Sequence, residues 1–401
     1  MSRSAASPWV MLGVAILAQV GCSFLHQGLP SLAPLFQAEW ALSRGELGGV
    51  LAAINVGVLL ASVAAGQLVD RVGERWPMVL APGGVAALAV LASLSPTPWL
   101  LALALATAGA FVALSGTAGG KATLLWFPAR VRGLAMSLRQ TGVSIGGVSS
   151  ALLLPLCASA FGWRGALLAA AAVGGLAALT VLALYRDPPT STGAAARAAP
   201  GWQTISALLH DRSLVATFVL GPLLVAGQWT VLPYLVLFLY ERFGWGVSEA
   251  ARYLALAQIG AIGGRIAWGL ASDVFWRGRR KPALGLLVPA SALGTLALAI
   301  LPPWTPALAV ALLAGWLGAT VIGWNGVLFV YTAEQAGPQR AGTALGLLGT
   351  SVFTSAVLVP PLFGWLVDRL GSYTPAWLLL SGVLLAGLAL FPFLREVETV
   401  R

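Results

Sequence analysis

Twelve stretches of this 401-residue chain are long and apolar enough to cross a bilayer, and they limit its fold more than any motif does. They fall near residues 9–36, 44–69, 77–96, 99–126, 131–157 and 163–185, then near 212–240, 246–272, 282–301, 306–333, 341–366 and 374–394. Membrane barrels need segments of about ten residues with alternating polarity, and these runs are twice that length, so the predicted class is an all-α integral membrane protein. Composition agrees: 9% of residues are charged and 58% hydrophobic, where soluble domains carry roughly 25% and about 45–50%. The 48 glycines and 24 prolines would break soluble helices, but membrane helices tolerate them because neighbours satisfy the freed backbone groups.

The formal charge of +10 is therefore read as an orienting device, not a nucleic-acid footprint. With the N-terminus inside, fifteen Lys and Arg fall in cytoplasmic segments, five (Arg44, Arg164, Arg242, Arg252 and Arg369) outside, and three within spans. Both termini are expected in the cytoplasm, with the chain in the inner (cytoplasmic) membrane. The first apolar run is too long for a signal peptide and reads as a first span. Cys22 and Cys157 lie inside apolar runs and have no metal-ligand spacing, so no cofactor is expected.

The twelve runs divide six and six. Between them lies a small, polar, Pro-rich stretch, predicted as a cytoplasmic linker at 187–211 that joins residues 1–186 to residues 212–401. The halves repeat. Gly66 and Asp70 close the second run, and Gly269 and Asp273 close the eighth at the same spacing. A basic loop and a proline (Pro77, Pro282) follow each. Arg132-Gly133-Leu134-Ala135 opens the fifth run, as Arg340-Ala341-Gly342-Thr343-Ala344 opens the eleventh. Such repeats characterise membrane transporters.

With Gly66-Gln67-Leu68-Val69-Asp70-Arg71-Val72-Gly73-Glu74-Arg75, Trp126-Phe127-Pro128 and Gly162-Trp163-Arg164, the chain resembles the major facilitator superfamily over essentially its whole length. Val69 and Glu74 depart from the loop pattern, Glu74 standing where a base is usual, and the second copy carries Val274 and Trp276 in place of Arg and Gly. The resemblance implies two pseudo-symmetric six-helix bundles that rock about a central site lined by spans 1, 4, 7 and 10. It also implies a conformational latch of Gly66, Asp70, Arg71, Arg75, Gly269 and Asp273, in which the glycines let a neighbouring helix approach.

Ionisable groups within a membrane are costly, so each is a functional hypothesis. Arg139 in span 5 and Arg265 in span 8 stand opposite a leucine (Leu347 or Leu348) and Ser62 in the repeat, so the scaffold does not require them. An arginine fork in a dry cavity fits a carboxylate. Lys121 in span 4 is a further cation, able to snorkel. Gln27, Gln228, Trp229, Tyr234, Trp324 and Asn325 fall mid-span and suit a small, polar-headed substrate. His26 is the candidate for proton coupling.

The resulting reading is a monomeric, non-enzymatic secondary transporter of a small organic anion, with partial resemblance to monocarboxylate and oxalate/formate carriers. The alternative is a drug or metabolite efflux antiporter, whose glycine pattern is partly matched by Gly142-Val143-Ser144-Ile145-Gly146-Gly147. A membrane receptor or scaffold is disfavoured because the linker and tails are short.

Overall fold

The computed structural model of the chain describes residues 7–127, 129–186, 202–337 and 340–396, and all regular structure among them is helical. α1 (Pro8–Gly28) passes through a 3-10 turn into α2 (Ala33–Trp40), making one span. α3 (Arg44–Val72), α4 (Arg75–Ser93), α5 (Pro98–Trp126) and α6 (Ala129–Leu184) follow. α7 (Trp202–His210) precedes α8 (Arg212–Phe243), α9 (Val247–Val274) and α10 (Lys281–Ile300). α11 (Ala307–Leu317) and α12 (Asn325–Ala336) form one span through a π-helical turn at Gly318–Ile322, and α13 (Ala341–Leu370) and α14 (Tyr373–Ala386) complete the chain.

Local chemistry sets these limits. Ser43 and Glu46 form a reciprocal capping box at the start of α3: the Ser43 N–H donates to Glu46 Oε2 at 2.9 Å and the Glu46 N–H to Ser43 Oγ at 3.2 Å. Asp211 caps α8 by accepting from the N–H groups of Ser213 and Leu214. Asp211 and α7 both fall in the predicted 187–211 linker, whose residues 187–201 lie outside the described set. Left-handed Gly244 and Gly371 terminate α8 and α13.

Among the described residues eleven helices reach spanning length, and one, Leu138–Leu184, has 47 residues. At about 1.5 Å per residue it would exceed two bilayer cores if straight. Gly162, at φ 69° and ψ 173°, breaks it. The break lies between the runs predicted at 131–157 and 163–185, so this helix supplies two of the twelve spans.

The chain forms two compact units, Met1–Ala41 with Ala53–Ala196, and Leu42–Ala52 with Arg197–Arg401. Each contains a backbone-to-backbone helix contact with the same layout. In the first unit, a Cβ on Gly57 of α3 would strike the Ala106 carbonyl of α5, and one on Gly109 the Ile54 carbonyl. In the second, Gly260 of α9 meets the Gly315 carbonyl and Gly318 that of Ala257. The spacing between Asp70 and Asp273 carries Ile54 and Gly57 onto Ala257 and Gly260. The repeat read from sequence is thus repeated contact by contact, through small residues that let apolar helices meet without a hydrophobic drive.

The expectation for Gly66 and Gly269 is corrected by the same geometry. A Cβ at either would meet no heavy atom within 4 Å. The close approach that a glycine makes possible occurs two and a half turns earlier, where the helices cross.

Candidate functional site

In the first unit, packing of α1 on α6 builds a polar seam. Gly142 lies against the Ile16 carbonyl and Gln19, Gly146 against Ser23 and Phe24, and Ser150 against Gly28. These small residues recur every fourth position, one face of a helix. Gly142 and Gly146, two of the glycines that partly match an antiporter signature, are therefore occupied in helix packing. Their contact fixes the α1–α6 register and sets Gln19 beside Arg139.

Arg139 is 6% exposed. Its Nη1 donates to Gln19 Oε1 at 2.9 Å and its Nη2 to Gln140 Oε1 at 3.0 Å, while Nε is buried without a partner. Gln19 passes the chain on to Ser23 Oγ at 3.1 Å. Among the described residues no carboxylate pairs with Arg139. Of the five N–H donors of a guanidinium, two are spent on neutral amides. Gly119 of α5 leaves room beside the group: a Cβ there would come within 3.1 Å of Nη1.

Seven residues further along α1, on the same face, His26 Nε2 lies 2.9 Å from Asn55 Oδ1 of α3. Asn55 is fully buried and its Nδ2 has no partner. Gln27 is buried beside His26. Lys121 stands apart from Arg139's hydrogen-bond chain: its ammonium donates to the Val69 carbonyl at 2.9 Å, at the end of the α3 span.

In the second unit, Trp324 Nε1 donates to Gln228 Oε1 at 3.0 Å, both side chains being buried. Asn325 follows, with Oδ1 buried and unpartnered, and Trp229 is half-buried on α8. The π-helical turn ends two residues before Trp324, and such turns are frequent at functional sites. Trp268 of α9 donates to the Ala319 carbonyl within it at 2.9 Å. Arg265, half-buried, lies on the same turn of α9, beside Gly264, which packs against Ala319.

Tyr234 does not join this group. Its hydroxyl lies 2.8 Å from the Arg44 carbonyl and 2.7 Å from the Pro360 carbonyl, and its ring packs on Phe363. In this structure it pins helices together. Tyr234→Phe is expected to remove the single O–H that the Arg44 and Pro360 carbonyls share and to lower stability by about 1–3 kcal/mol, with substrate affinity unchanged. Thermal unfolding and a binding isotherm on the same preparation check both halves.

Of the predicted latch, the second copy is an ion network: Arg280 bonds Asp273 and Ser272 and reaches Glu334 at 3.4 Å. Arg280 and Glu334 had no place in the sequence-based latch. In the first copy the Asp70 side chain is outside the described set, Arg71 is exposed, and Arg75 sits over the Trp76 ring at 5.9 Å. Glu74, the departure from the family loop, is buried at 3% exposure, with the Tyr185 hydroxyl 3.5 Å from its Oε1.

A second cluster escaped the sequence reading. Arg44 pairs with Glu241 at 2.9 Å and Asp368 at 3.2 Å. Tyr373 donates to Glu241 at 2.8 Å, and the Gly45 N–H donates to Asp368 at 2.8 Å. Four helices meet here, but their charges lie far apart in the sequence, at positions that read as ordinary span ends. The pairs are part-exposed, so their worth is discounted, and Arg44→Ala is expected to cost about 1 kcal/mol in thermal unfolding.

Among the described residues no group of three or more His, Cys, Asp or Glu could hold a metal ion. The geometry is that of a membrane protein with buried, polar-lined helix faces. The comparisons place it. The Major Facilitator Superfamily model matches residues 14–360. An uncharacterized MFS-type transporter of Mycobacterium tuberculosis is 28% identical over 393 residues, covering 96% of this chain and 84% of that one. Monocarboxylate transporter 13 of Rattus norvegicus is 31% identical over 341 residues, 84% of this chain and 77% of that one. A solved nucleoside transporter superposes with a TM-score of 0.78 over 96% of this chain and 100% of its own at 16% identity, a likeness of fold alone. A protein with eleven spanning-length helices among its described residues, one of them broken at Gly162, and built as two repeated units, this chain belongs to the Major Facilitator Superfamily and is a multi-pass membrane transporter.

Proposed function

We propose that the transporter carries a small organic anion, a carboxylate first of all, by alternating access of its two six-helix halves (1–186 and 212–401), as a monomer in the cytoplasmic membrane with both termini inside. The observation that carries this reading is Arg139: a buried guanidinium held by two glutamine oxygens, with no carboxylate partner among the described residues. A charge out of water is expensive by several kcal/mol even after relaxation, and a carboxylate ligand supplies both the missing charge and acceptors for the unused donors. The relative named as a monocarboxylate transporter supports the same substrate class. Arg265, Gln228, Trp229, Trp324, Asn325, Gln27 and Lys121 remain proposed contributors to binding, and the Asp70 and Asp273 loops a proposed latch.

A thermal-shift screen tests the reading. Aliphatic and aromatic monocarboxylates are expected to raise the unfolding temperature, because a ligand that binds only the folded state stabilises it by mass action. The matching amides and amines are expected not to. A shift with amines and none with acids would remove the anion reading and favour the efflux alternative.

His26 is the proposed proton carrier. In the first unit its Nε2 faces the Asn55 carbonyl oxygen, an acceptor that suits a ring N–H in both the neutral and the charged ring. His26→Gln is expected to abolish accumulation driven by a pH gradient while leaving substrate exchange at equal pH intact. Undiminished accumulation would remove His26 from the mechanism.

A further inference from the structure

The turn between α9 and α10 differs in charge, length and backbone from its partner in the first unit. After Asp70 the helix resumes at Arg75, five residues on; after Asp273 it resumes only at Lys281, eight residues on. The first turn is neutral, with Asp70 and Glu74 against Arg71 and Arg75. The second holds Arg277, Arg279, Arg280 and Lys281 against Asp273 alone, a formal charge of +3.

Two of these four bases are committed within the fold. Arg280 bonds Asp273 and Glu334, and the Lys281 ammonium donates to the Leu394 carbonyl at 2.7 Å. Arg277 and Arg279 are exposed, and among the described residues neither pairs with a carboxylate. The backbone is unusual where they stand. The first unit turns at Gly73, φ 80°, but the second turns through Arg277 at φ 53° and then Gly278 at φ 86°. A side chain at positive φ is held there against its backbone preference, and such positions cluster at functional sites.

Apolar surface adjoins the two free cations. Phe275 is 80% exposed and Val274 67%. Uncovered apolar side chains at the end of a membrane span belong in the acyl boundary, and arginines one step beyond belong among the headgroups. Paired guanidinium forks match phosphate oxygens, and basic residues beside a span attract anionic lipid.

We propose that the turn from Val274 to Arg279 is a binding site for the headgroup of an anionic phospholipid, held by Arg277 and Arg279 with Phe275 and Val274 seated in the acyl boundary. This site is independent of the substrate reading: it lies in the loop after Asp273 but uses none of the proposed substrate-binding residues and not Asp273 itself.

The test uses the full chain in a neutral detergent, with unfolding followed by tryptophan fluorescence. Phosphatidylglycerol, phosphatidylcholine and inorganic phosphate are added in parallel. Phosphatidylglycerol is expected to raise the midpoint above that in phosphatidylcholine, and inorganic phosphate is expected to leave it unmoved. In Arg277→Gly/Arg279→Gln the glycine fits the left-handed backbone, so the variant folds. Its phosphatidylglycerol-minus-phosphatidylcholine difference is expected to fall to half or less. An undiminished difference in the variant overturns the proposal. An equal shift with inorganic phosphate overturns it too, because the ligand would then be free phosphate.

Discussion

Arg139→Gln is expected to abolish carboxylate uptake in proteoliposomes without unfolding the protein. The wild-type guanidinium offers two charge-assisted hydrogen bonds to a carboxylate, each worth about 1.5–3 kcal/mol, so affinity is expected to fall at least about 100-fold. Stability should move the other way or hardly at all. The substitution removes a buried charge that the described residues leave without a carboxylate. The relief from desolvation offsets the lost bonds to Gln19 and Gln140, leaving stability unchanged within about 1 kcal/mol or raised. A residue kept only for structure would show the reverse: weaker folding and unaltered affinity. Thermal unfolding without ligand and a binding isotherm distinguish the two.

The other large effect lies at the helix crossings. Gly57→Val and Gly318→Val each place side-chain atoms where a facing carbonyl stands. Neither backbone has room to retreat without separating the helices, so each variant is expected to lose more than about 3 kcal/mol, above the usual cost of an overpacked core, and to yield no folded protein in detergent. Gly66→Ala and Gly269→Ala form the contrast. With open space around both, they are expected to fold normally and to gain up to about 1 kcal/mol of helix propensity. Size-exclusion profiles of the four variants check the ordering. Loss of transport in Gly66→Ala with normal folding would place that glycine's importance in another conformation of the cycle.

The spans were legible because bilayer thickness fixes their length, whatever the tertiary structure. The repeat was legible because Gly66/Asp70 and Gly269/Asp273 kept their spacing, and the same register predicts which backbones touch at Gly57 and Gly260. What those glycines do was less legible: a motif marks a position, but close approach depends on where two helices cross. Arg139 stood out as a cation in oil. Its partners did not, because Gln19 is distant in sequence and meets it only through the α1–α6 seam. A weak signal for Asn55 existed. The chain has two asparagines, Asn55 and Asn325, and both lie inside spans. The partners of Tyr234 were not legible, because a mid-span phenol looks the same in sequence whether it faces a ligand or two carbonyls. The Arg44 cluster was invisible for a related reason: its members lie on four helices, and no local pattern joins them.

Arg139, buried in the first unit, is proposed to receive the substrate carboxylate. Solute counterflow tests it most directly. Proteoliposomes loaded with a monocarboxylate that stabilises the protein are diluted into trace label, once as the acid and once as its amide. A transient overshoot of labelled acid is expected in the wild type, no overshoot in Arg139→Gln, and none with the amide in either. An equal overshoot of acid in Arg139→Gln, or of amide in the wild type, would contradict it.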